Sequence, residues 1–436
     1  MSDWAFETRQ IHAGQLPDAA TGARALPIYQ TTSYVFGDSE TAAARFALTD
    51  LGPIYTRLGN PTTEVVENRL ASLEGGVGAL LLASGMAATT YAILNVAQAG
   101  DHVVSSAALY GGTYNLLKYT LPRLGIETTF VADPADLDEW RRALRPNTKI
   151  VFGETISNPD QQVLDIAGVA AVAHEAGVPL MVDNTVATPY LIQPLAHGAD
   201  VVIHSATKYL GGHGTAIVGA LVDGGTFDYG AEPEKFPQFN SPSESYHGLV
   251  YARDLGVGSA FGANLSFILK ARVDLLRDTG AAVSPFNAFL LAQGLETLSL
   301  RMERHVENTR RVVDFLTGHP QVESVNYASQ RGNRDFERAQ QYCPKGSGAV
   351  FSFEIAGGIE AGRRFVDALE LHSHVANIGD VRSLVIHPAS TTHSQGSDAD
   401  RLGAGVTPGL VRLAVGIEHI DDIIADLEKG FAAAKG

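Results

Sequence analysis

The chain is poor in cysteine, in basic charge and in long apolar runs. A single cysteine, Cys343, cannot form an intramolecular disulfide, which is consistent with a reducing compartment. Lys and Arg number 32 against 48 Asp and Glu, so the formal net charge is −16. Such an acidic surface argues against nucleic acid or anionic membranes as partners. No apolar run approaches the roughly 20 residues of a membrane helix, and we see no signal peptide. We therefore expect a soluble, cytoplasmic protein.

Two nucleotide-binding signatures are missing as well. The segment Gly212-His-Gly-Thr-Ala-Ile217 lacks a third glycine and comes too late to be the first βα turn of a dinucleotide-binding fold. No P-loop pattern Gly-x-x-x-x-Gly-Lys occurs. His372-Ser-His374 has no third ligand at a suitable spacing, so we predict no metal site. These absences disfavour a nucleotide-dependent oxidoreductase.

From about residue 64, short apolar segments alternate with segments of helical periodicity. The predicted strands are 79–83, 102–105, 128–132, 150–154, 179–184 and 201–205, and the predicted helices are 64–73, 86–97, 113–124 and 166–176. Strands that alternate with helices of this length indicate βαβ units. The sequence therefore predicts an α/β fold built on a mostly parallel, buried sheet.

The pattern changes three times along the chain. Residues 1–63 are irregular and rich in turn residues, so we expect an N-terminal arm that packs on another subunit. Residues 64–290 form the predicted large domain, which includes an aromatic-rich, ordered insertion at about 223–259. Residues 291–436 mix strands and helices and predict a smaller C-terminal α+β domain.

The first motif that suggests chemistry is Ser84-Gly85-Met86, which directly follows the apolar strand 79–83. A strand that turns through Ser-Gly into a helix presents free backbone N–H groups at the helix N-terminus. Such a terminus can bind a phosphate. Considered alone, the motif is equally typical of an ordinary helix N-cap.

The second motif is Asp183, which ends the apolar strand 179–184. The carboxyl ends of parallel strands face the ligand crevice of an α/β sheet. A carboxylate there can pair with a cationic ring nitrogen, although an aspartate at a strand end can also simply cap the next turn.

The third motif is Lys208, which lies just beyond the strand 201–205 and 25 residues after Asp183 (208 − 183). Neighbouring apolar strands and glycines can desolvate its amine and lower its pKa, which suits a covalent link to a carbonyl cofactor. Ser205 and Thr207 add two hydroxyls that could bind a phosphate. A lone lysine is usually a solvated surface residue, but here the three motifs follow strand ends in order.

Together these motifs resemble the Cys/Met-metabolism family of pyridoxal-phosphate (PLP) enzymes, the cystathionine γ-synthase-like group of fold type I. The resemblance runs from about Thr8 to the C-terminus and implies the PLP-dependent transferase fold, with a seven-stranded, mostly parallel sheet. Further matching segments begin at Tyr55 (Tyr-Thr-Arg-Leu-Gly-Asn-Pro-Thr), Tyr110 (Tyr-Gly-Gly-Thr), Glu154 (Glu-Thr-Ile-Ser-Asn-Pro) and Arg412 (Arg-Leu-Ala-Val-Gly-Ile-Glu).

The resemblance implies a role for each matching residue. Lys208 would bind PLP covalently and then move protons, Asp183 would pair with the pyridine nitrogen, and Tyr110 would stack on the ring and take part in proton transfer. The other expected cofactor contacts are Ser84, Gly85, Met86, Thr185, Ser205 and Thr207, with Tyr55 and Arg57 reaching the phosphate of a neighbouring subunit. The expected substrate contacts are Asn158, Asn377 and Arg412.

Three details resemble the O-acetylhomoserine sulfhydrylases within this family. They are the insertion at 223–259, the segment 60–76, and Asn377-Ile-Gly-Asp380, where synthases and lyases usually carry Ser-Leu-Gly-Gly. This similarity implies that O-acetyl-L-homoserine and sulfide give L-homocysteine and acetate, with methanethiol as a further acceptor that gives methionine. It also implies a homo-oligomer, expected to be a homotetramer, with active sites at subunit interfaces.

Several alternatives stay open at the level of the sequence. A methionine or cystathionine γ-lyase would share the same core residues but eliminate rather than replace. A γ-synthase would use O-succinylhomoserine or cysteine. A binding protein that keeps the fold but not the activity would lack the absorbance of bound PLP near 420 nm.

Overall fold

The computed structural model describes residues 4–158, 160–392, 394 and 406–435. Its first seven strands form one sheet in the order β1-β7-β6-β5-β4-β2-β3. Strand β7 is antiparallel to both of its neighbours, and the other neighbouring pairs are parallel. The strands are β1 (Gly78–Leu82), β2 (His102–Ser106), β3 (Glu127–Val131), β4 (Thr148–Glu154), β5 (Leu180–Asp183), β6 (Val201–Ser205) and β7 (Gly219–Asp223). The predicted α/β class and mostly parallel seven-stranded sheet are confirmed.

A second, smaller sheet lies toward the C-terminus, in the order β10-β11-β12-β9-β8. Its strands are β8 (Val322–Asn326), β9 (Val350–Ile355), β10 (Ser373–His374), β11 (Leu384–Ile386) and β12 (Leu410–Ala414). Arg412 lies on β12, opposite Ser352 of β9. The smaller C-terminal α+β unit predicted from the sequence is therefore present.

The helices that surround the two sheets vary from single turns to 20 residues. In the first part of the chain they are α1 (Phe6–His12), α2 (Ser39–Phe46), α3 (Pro61–Glu74), α4 (Gly85–Leu94), α5 (Gly111–Asn115), α6 (Leu137–Ala143), α7 (Ile166–Glu175) and α8 (Thr188–Leu191). The remainder are α9 (Pro237–Asn240), α10 (Tyr251–Asp254), α11 (Ser266–Lys270), α12 (Arg277–Thr279), α13 (Pro285–Glu296), α14 (Leu298–Thr317), α15 (Phe336–Tyr342), α16 (Gly358–Asp367) and α17 (Ile420–Ala434). In the described part of the chain, none is long and apolar enough to cross a bilayer.

Two details of the secondary structure differ from the sequence prediction. The single helix predicted over 113–124 is instead α5, a π-helical turn (Leu116–Thr120) and a 3₁₀ turn (Leu121–Leu124). Pro122 accounts for the change, because its ring removes an N–H donor and clashes with the preceding helical turn. Strand β7 was not predicted, and it ends at Asp223, where the predicted insertion begins. The six predicted strands of the first sheet are all present within two residues at each end.

Each sheet has its own hydrophobic core. The core of the large sheet extends into the predicted insertion, where Tyr229 stacks on Phe239 with ring centroids 4.1 Å apart. Phe236 packs edge-on against Tyr229 and is also buried. The insertion is thus an ordered part of the large unit that is anchored by aromatic side chains buried in that core.

The carboxyl ends of β4, β5 and β6 lie side by side at one edge of the large sheet. Glu154, the last residue of β4, is in register with Asp183, the last residue of β5. Asp183 is in register with Ile203, two residues before the end of β6. This is the edge at which parallel α/β sheets bind their ligands.

Candidate active site

The N-terminus of α4 provides a compact site with free backbone amides. Ser84 is its N-cap, and its Oγ accepts a hydrogen bond of 3.1 Å from the backbone N–H of Ala87. Among the described residues, the N–H groups of Gly85 and Met86 make no hydrogen bond. A Cβ on Gly85 would lie 2.6 Å from Cβ of Ser205, so only glycine fits there. The predicted phosphate contacts Ser84, Gly85, Met86 and Ser205 are therefore brought together.

Two further predicted cofactor contacts, Thr185 and Thr207, use their hydroxyls within the protein. Oγ1 of Thr185 accepts a 2.8 Å hydrogen bond from the backbone N–H of Ser205, which joins the ends of β5 and β6. Oγ1 of Thr207 donates to the carbonyl of Val218 and accepts from its N–H, at 3.2 and 3.0 Å. Both threonines therefore hold the loops around the α4 N-terminus.

Glu154 and Asp183 place two carboxyl groups next to each other at the sheet edge. Both oxygens of Glu154 accept hydrogen bonds, from the backbone N–H groups of Tyr110 and Asn158. Asp183 accepts one, at 2.9 Å, from the backbone N–H of Thr185. Neither carboxyl makes an ion pair with any described residue. Asp183 thus keeps an oxygen available for a ligand.

The electrostatics of this acid pair favour a cation. Burial first, and then the charge of Asp183, raise the pKa of Glu154 to about 8. Burial also raises the pKa of Asp183 above its usual value, because the hydrogen bonds from Thr185 and the nearby His204 offset only part of the cost of desolvation. A positively charged ring nitrogen beside Asp183 would supply the missing charge.

Lys208 lies just beyond β6 and reaches toward the C-terminal unit. Its Nζ donates a hydrogen bond to Oδ1 of Asn377, and burial, followed by the charge of Arg412, lowers the pKa of its amine. Gly379 has φ +74°, and a Cβ there would lie 2.7 Å from Cβ of Lys208. Only glycine lets this loop approach the lysine so closely. A lysine with a lowered pKa is suited to attack a carbonyl carbon.

Arg412 is a buried guanidinium without an acidic partner among the described residues. Its Nη1 donates to Oδ1 of Asn158 at 2.8 Å, and its Nη2 donates to the carbonyl of Asn377 at 3.5 Å. The three predicted substrate contacts therefore form one group. A buried, unpaired guanidinium is a suitable partner for a carboxylate, which it can bind through two parallel hydrogen bonds.

Tyr110 precedes α5 as its N-cap, and its side chain is 51% exposed. A Cβ on Gly112 would lie 2.5 Å from the Tyr110 ring and 3.2 Å from Sδ of Met86, so the ring and the α4 N-terminus both flank Gly112. An exposed ring beside the anion site is in a position to cover a planar ligand.

Of the predicted site residues, Tyr55 and Arg57 are the two that make no hydrogen bond to the site of their own chain among the described residues. The Arg57 guanidinium lies 5.2 Å from the centroid of the Tyr55 ring. No hydrogen bond joins either residue to Lys208, Asp183 or the α4 N-terminus in the described part of the chain. Nε of Arg57 is buried without a hydrogen-bond partner.

Glu154 is the residue of this site to which the sequence analysis assigned no role. The signal that pointed to Asp183, an acid at the carboxyl end of an apolar strand, applied equally to Glu154. The two contacts that reveal it, to Tyr110 and Asn158, depend on how the loops fold and not on the strand pattern.

A lysine, an acid and a helix N-terminus gathered at the carboxyl edge of such a sheet define a class of enzyme that uses PLP. The family model described as Cys/Met metabolism PLP-dependent enzyme matches residues 7–432. The chain therefore belongs to this family, and the resemblance found in its motifs is confirmed.

Similar proteins cover the whole chain. It is 56% identical over 433 residues to O-acetyl-L-homoserine sulfhydrylase of Corynebacterium glutamicum, spanning 99% of this chain and 97% of that protein. It is 50% identical over 432 residues to homocysteine synthase of Schizosaccharomyces pombe, with 98% of each chain covered. A crystal structure from Campylobacter jejuni, described as an O-acetylhomoserine (thiol)-lyase with a pyridoxyl-lysine phosphate, has a TM-score of 0.92 at 41% identity. That match covers 98% of this chain and 100% of the other.

The residues present fit PLP. The free N–H groups of Gly85 and Met86 suit its phosphate, the open oxygen of Asp183 suits its ring nitrogen, and the amine of Lys208 suits its aldehyde. The acid pair lacks a cation that the protonated ring nitrogen would provide. The enzyme is PLP-dependent, as the sequence predicted.

Proposed function

We propose that this protein replaces the acetate of O-acetyl-L-homoserine with sulfide to give L-homocysteine. The observation that carries the proposal is the full-length identity of 50–56% to proteins named O-acetyl-L-homoserine sulfhydrylase and homocysteine synthase. Methanethiol would be a second acceptor, giving L-methionine. The active-site groups found above are those that such a replacement requires.

Lys208 and Asp183 would carry out the central steps. When bound, PLP supplies an electron sink that stabilises negative charge at the substrate Cα. Lys208 would bind the cofactor covalently and, once freed by substrate, take the proton from Cα and return it. Asp183 would keep the ring nitrogen protonated, and Tyr110 would cover the ring and assist proton transfer. The lowered pKa of Lys208 leaves more of its amine neutral, as a base requires.

Asn158, Arg412 and Asn377 would fix the substrate by its carboxylate. Oδ1 of Asn158 already accepts from Arg412, so its amide NH₂ is left to donate to the substrate. Arg412 would supply two further donors in a fixed plane. Holding the carboxylate in this way would orient the Cα–H bond relative to the cofactor ring. The phosphate would be held by Gly85, Met86, Ser205 and Thr207, and Ser84 and Thr185 would be further cofactor contacts.

The working enzyme would be a cytoplasmic homo-oligomer, proposed to be a homotetramer. The arm of residues 1–63 exposes large apolar side chains, among them Leu16, Val35 and Phe46, which supports its burial against another subunit. Tyr55 and Arg57 would then reach the phosphate bound by the partner's large domain (64–290). The C-terminal domain (291–436) would contribute Asn377 and Arg412 to the site of its own chain.

One assay separates this function from its alternatives. Purified holoenzyme is given O-acetylhomoserine with and without sulfide, and homocysteine, acetate, ammonia and 2-oxobutyrate are measured. We expect homocysteine and acetate in equal amounts that depend on sulfide. Ammonia and 2-oxobutyrate without a thiol would indicate a γ-lyase. Faster turnover of the succinyl ester, or of cysteine as acceptor, would indicate a γ-synthase and contradict the proposal.

Lys208→Ala tests the assignment of the lysine in the same assay. The variant should still bind PLP through its phosphate and ring contacts but without a covalent link, and should lose nearly all turnover. Lys429→Ala, which removes an exposed lysine of α17, is the matched control and should keep full activity. Substantial turnover by the Lys208 variant would contradict the assignment.

A further inference from the structure

Like Asp223 at the end of β7, Glu154 is a buried acid whose two oxygens accept backbone N–H groups. It ends β4, is only 7% exposed, and has no cationic partner among the described residues. Instead its Oε1 accepts from the backbone N–H of Tyr110, and its Oε2 accepts from that of Asn158 at 2.9 Å. One carboxyl therefore ties together two loops that belong to different strands.

The two loops carry groups with different proposed tasks. The loop after β2 carries Tyr110, which would cover the cofactor ring. The loop after β4 carries Asn158, whose Oδ1 meets Arg412. From Arg412 the contacts continue through Asn377 to Nζ of Lys208. A displacement of Glu154 would thus disturb Tyr110, which would cover the cofactor ring. It would also disturb Asn158 and Arg412, which would bind the substrate carboxylate.

The neighbouring acid, Asp183, differs in how its oxygens are used. Among the described residues Asp183 accepts hydrogen bonds from Thr185 alone, whereas the two oxygens of Glu154 accept from two different loops. An ionised carboxylate accepts strongly from two N–H groups at once, whereas a protonated one is a weaker acceptor at its hydroxyl oxygen. The charge of Asp183 and that of Asp160 oppose ionisation of Glu154, so a cation beside Asp183 would help Glu154 keep both contacts.

We propose that Glu154 is a positioning residue of the reaction, which holds Tyr110 over the cofactor and Asn158 against Arg412 through their backbone N–H groups. This inference rests on the proposed function. Glu154 contacts neither cofactor nor substrate in this account and acts only through the two residues it holds.

Glu154→Gln is the primary test, because glutamine keeps the volume but replaces one acceptor oxygen with an NH₂ group. One of the two backbone N–H groups would then face another donor and shift away. In the holoenzyme we expect kcat/KM for O-acetylhomoserine to fall by about tenfold or more, as it does when supporting contacts of a site are lost. The circular dichroism of the bound cofactor near 420 nm should change as well, because the Tyr110 ring moves.

Asp426→Asn is the matched control. Asp426 also accepts from backbone N–H groups, but it lies in the C-terminal unit and has no hydrogen bond to a site residue in the described part of the chain. It should leave kcat/KM and the cofactor signal unchanged. A double-mutant cycle of Glu154→Gln with Asn158→Ala completes the design. The two effects on KM should be less than additive, because one residue acts through the other.

Three outcomes would overturn the proposal. The first is a Glu154→Gln enzyme whose kcat/KM stays within about twofold of the wild type with an unchanged cofactor signal. The second is an equal change in the Asp426→Asn control, and the third is full additivity with Asn158→Ala. If Glu154→Gln does not fold, Glu154→Asp, which is too short to reach both N–H groups, replaces it. Failure of both to fold would show a purely structural role.

This test stays separate from that of the proposed function. The cofactor signal and the ratio of variant to wild-type rates do not depend on which ester or thiol the wild type prefers. A wild type that makes no homocysteine would refute the proposed reaction, whereas a Glu154→Gln enzyme with both an unchanged relative rate and an unchanged cofactor signal would refute the positioning role.

Discussion

Two groups of buried carboxyls in this molecule have opposite surroundings. In the C-terminal unit, Asp426 accepts from the backbone N–H groups of Glu370, Leu371 and His372 and from Nδ1 of His372, at 2.8 to 3.1 Å. These donors together lower the pKa of Asp426 despite its burial. At the edge of the large sheet, Glu154 and Asp183 lie side by side without a cation, and their pKa values are raised.

The comparison shows that a carboxyl side chain can serve either to stabilise the fold or to bind a ligand. A buried carboxylate that is fully hydrogen-bonded within the chain stabilises the fold, since its donors replace the lost water. A buried carboxylate that lacks a counter-charge costs stability unless a ligand supplies it, which is typical of functional sites. Asp426 is thus expected to matter for folding, and Asp183 for PLP.

The largest effect should come from Asp183→Asn. Removing the negative charge leaves the ring nitrogen without its partner, so we expect kcat to fall by about 10²- to 10³-fold, the range for loss of one preorganised electrostatic contact. Stability of the cofactor-free protein should not fall, because the repulsion with Glu154 is removed. Steady-state kinetics and denaturant unfolding measure the two quantities. A near-normal kcat in this variant would contradict the proposed difference between Asp183 and Asp426.

Asp426→Asn should show the reverse pattern. The asparagine NH₂ group would face backbone donors, so the free energy of unfolding should fall by about 2–3 kcal/mol, typical of hydrogen bonds to a charged group. Activity per folded molecule should stay normal, since no site residue contacts Asp426. Urea unfolding followed by circular dichroism checks this. Unchanged stability would show that its four hydrogen bonds carry little net energy.

The pH dependence of stability should differ between the two groups. The pKa of Glu154 is raised from 4.5 to about 8, so the folded protein holds that proton more tightly than the unfolded chain. Its contribution is present below about pH 4.5 and is lost as pH rises to about 8. Asp426, with a lowered pKa, stabilises at higher pH and loses its contribution as pH falls below its usual value.

Unfolding of the cofactor-free protein between pH 5 and 8 tests this difference. Wild type should lose stability over this range, and Glu154→Gln should lose less because that carboxyl no longer ionises. Adding PLP should reduce the loss in wild type, because the ring cation compensates the acid pair. Identical pH slopes for wild type and Glu154→Gln would contradict the raised pKa.

The smallest effect is expected at the surface near Asp426. Lys429 of α17 pairs with Glu370 at 2.6 Å, but both side chains are more than half exposed. An exposed pair of this kind contributes about 0–1 kcal/mol, so Lys429→Ala should lower the free energy of unfolding by less than Asp426→Asn. Urea unfolding of both variants in the same buffer makes the comparison. An equal loss would mean that the exposed pair, and not the buried carboxylate, dominates this region.

Much of the fold could be predicted because it depends on local patterns. Apolar segments of four to six residues, separated by helical segments, predicted β1 to β6 within two residues at each end. The same strand-end argument selected Asp183 and Lys208. The helix predicted at 113–124 is present, but it changes from α-helical to π-helical and 3₁₀ geometry toward Pro122, which cannot donate an N–H. Strand β7 was missed because it directly borders the aromatic insertion, where the sequence shows no clear period.

The contacts between distant segments could not be predicted from such patterns. Asn377 lies 169 residues beyond Lys208, and Asn158 lies 254 residues before Arg412. Their meeting depends on how the C-terminal unit packs against the large sheet. The resemblance to a known family selected these residues, whereas strand and helix periodicity carried no information about them. The roles of Tyr55 and Arg57 stay predictions that concern a second subunit.

The central claim is that one PLP molecule is bound covalently to Lys208 and lies beside Asp183 at the edge of the large sheet. Reduction of the holoenzyme with borohydride, followed by proteolysis and mass spectrometry, tests it most directly, because reduction makes the bond between lysine and cofactor permanent. We predict a single phosphopyridoxyl group on the peptide that contains Lys208. The same group on another lysine, or none on any peptide, would contradict the account.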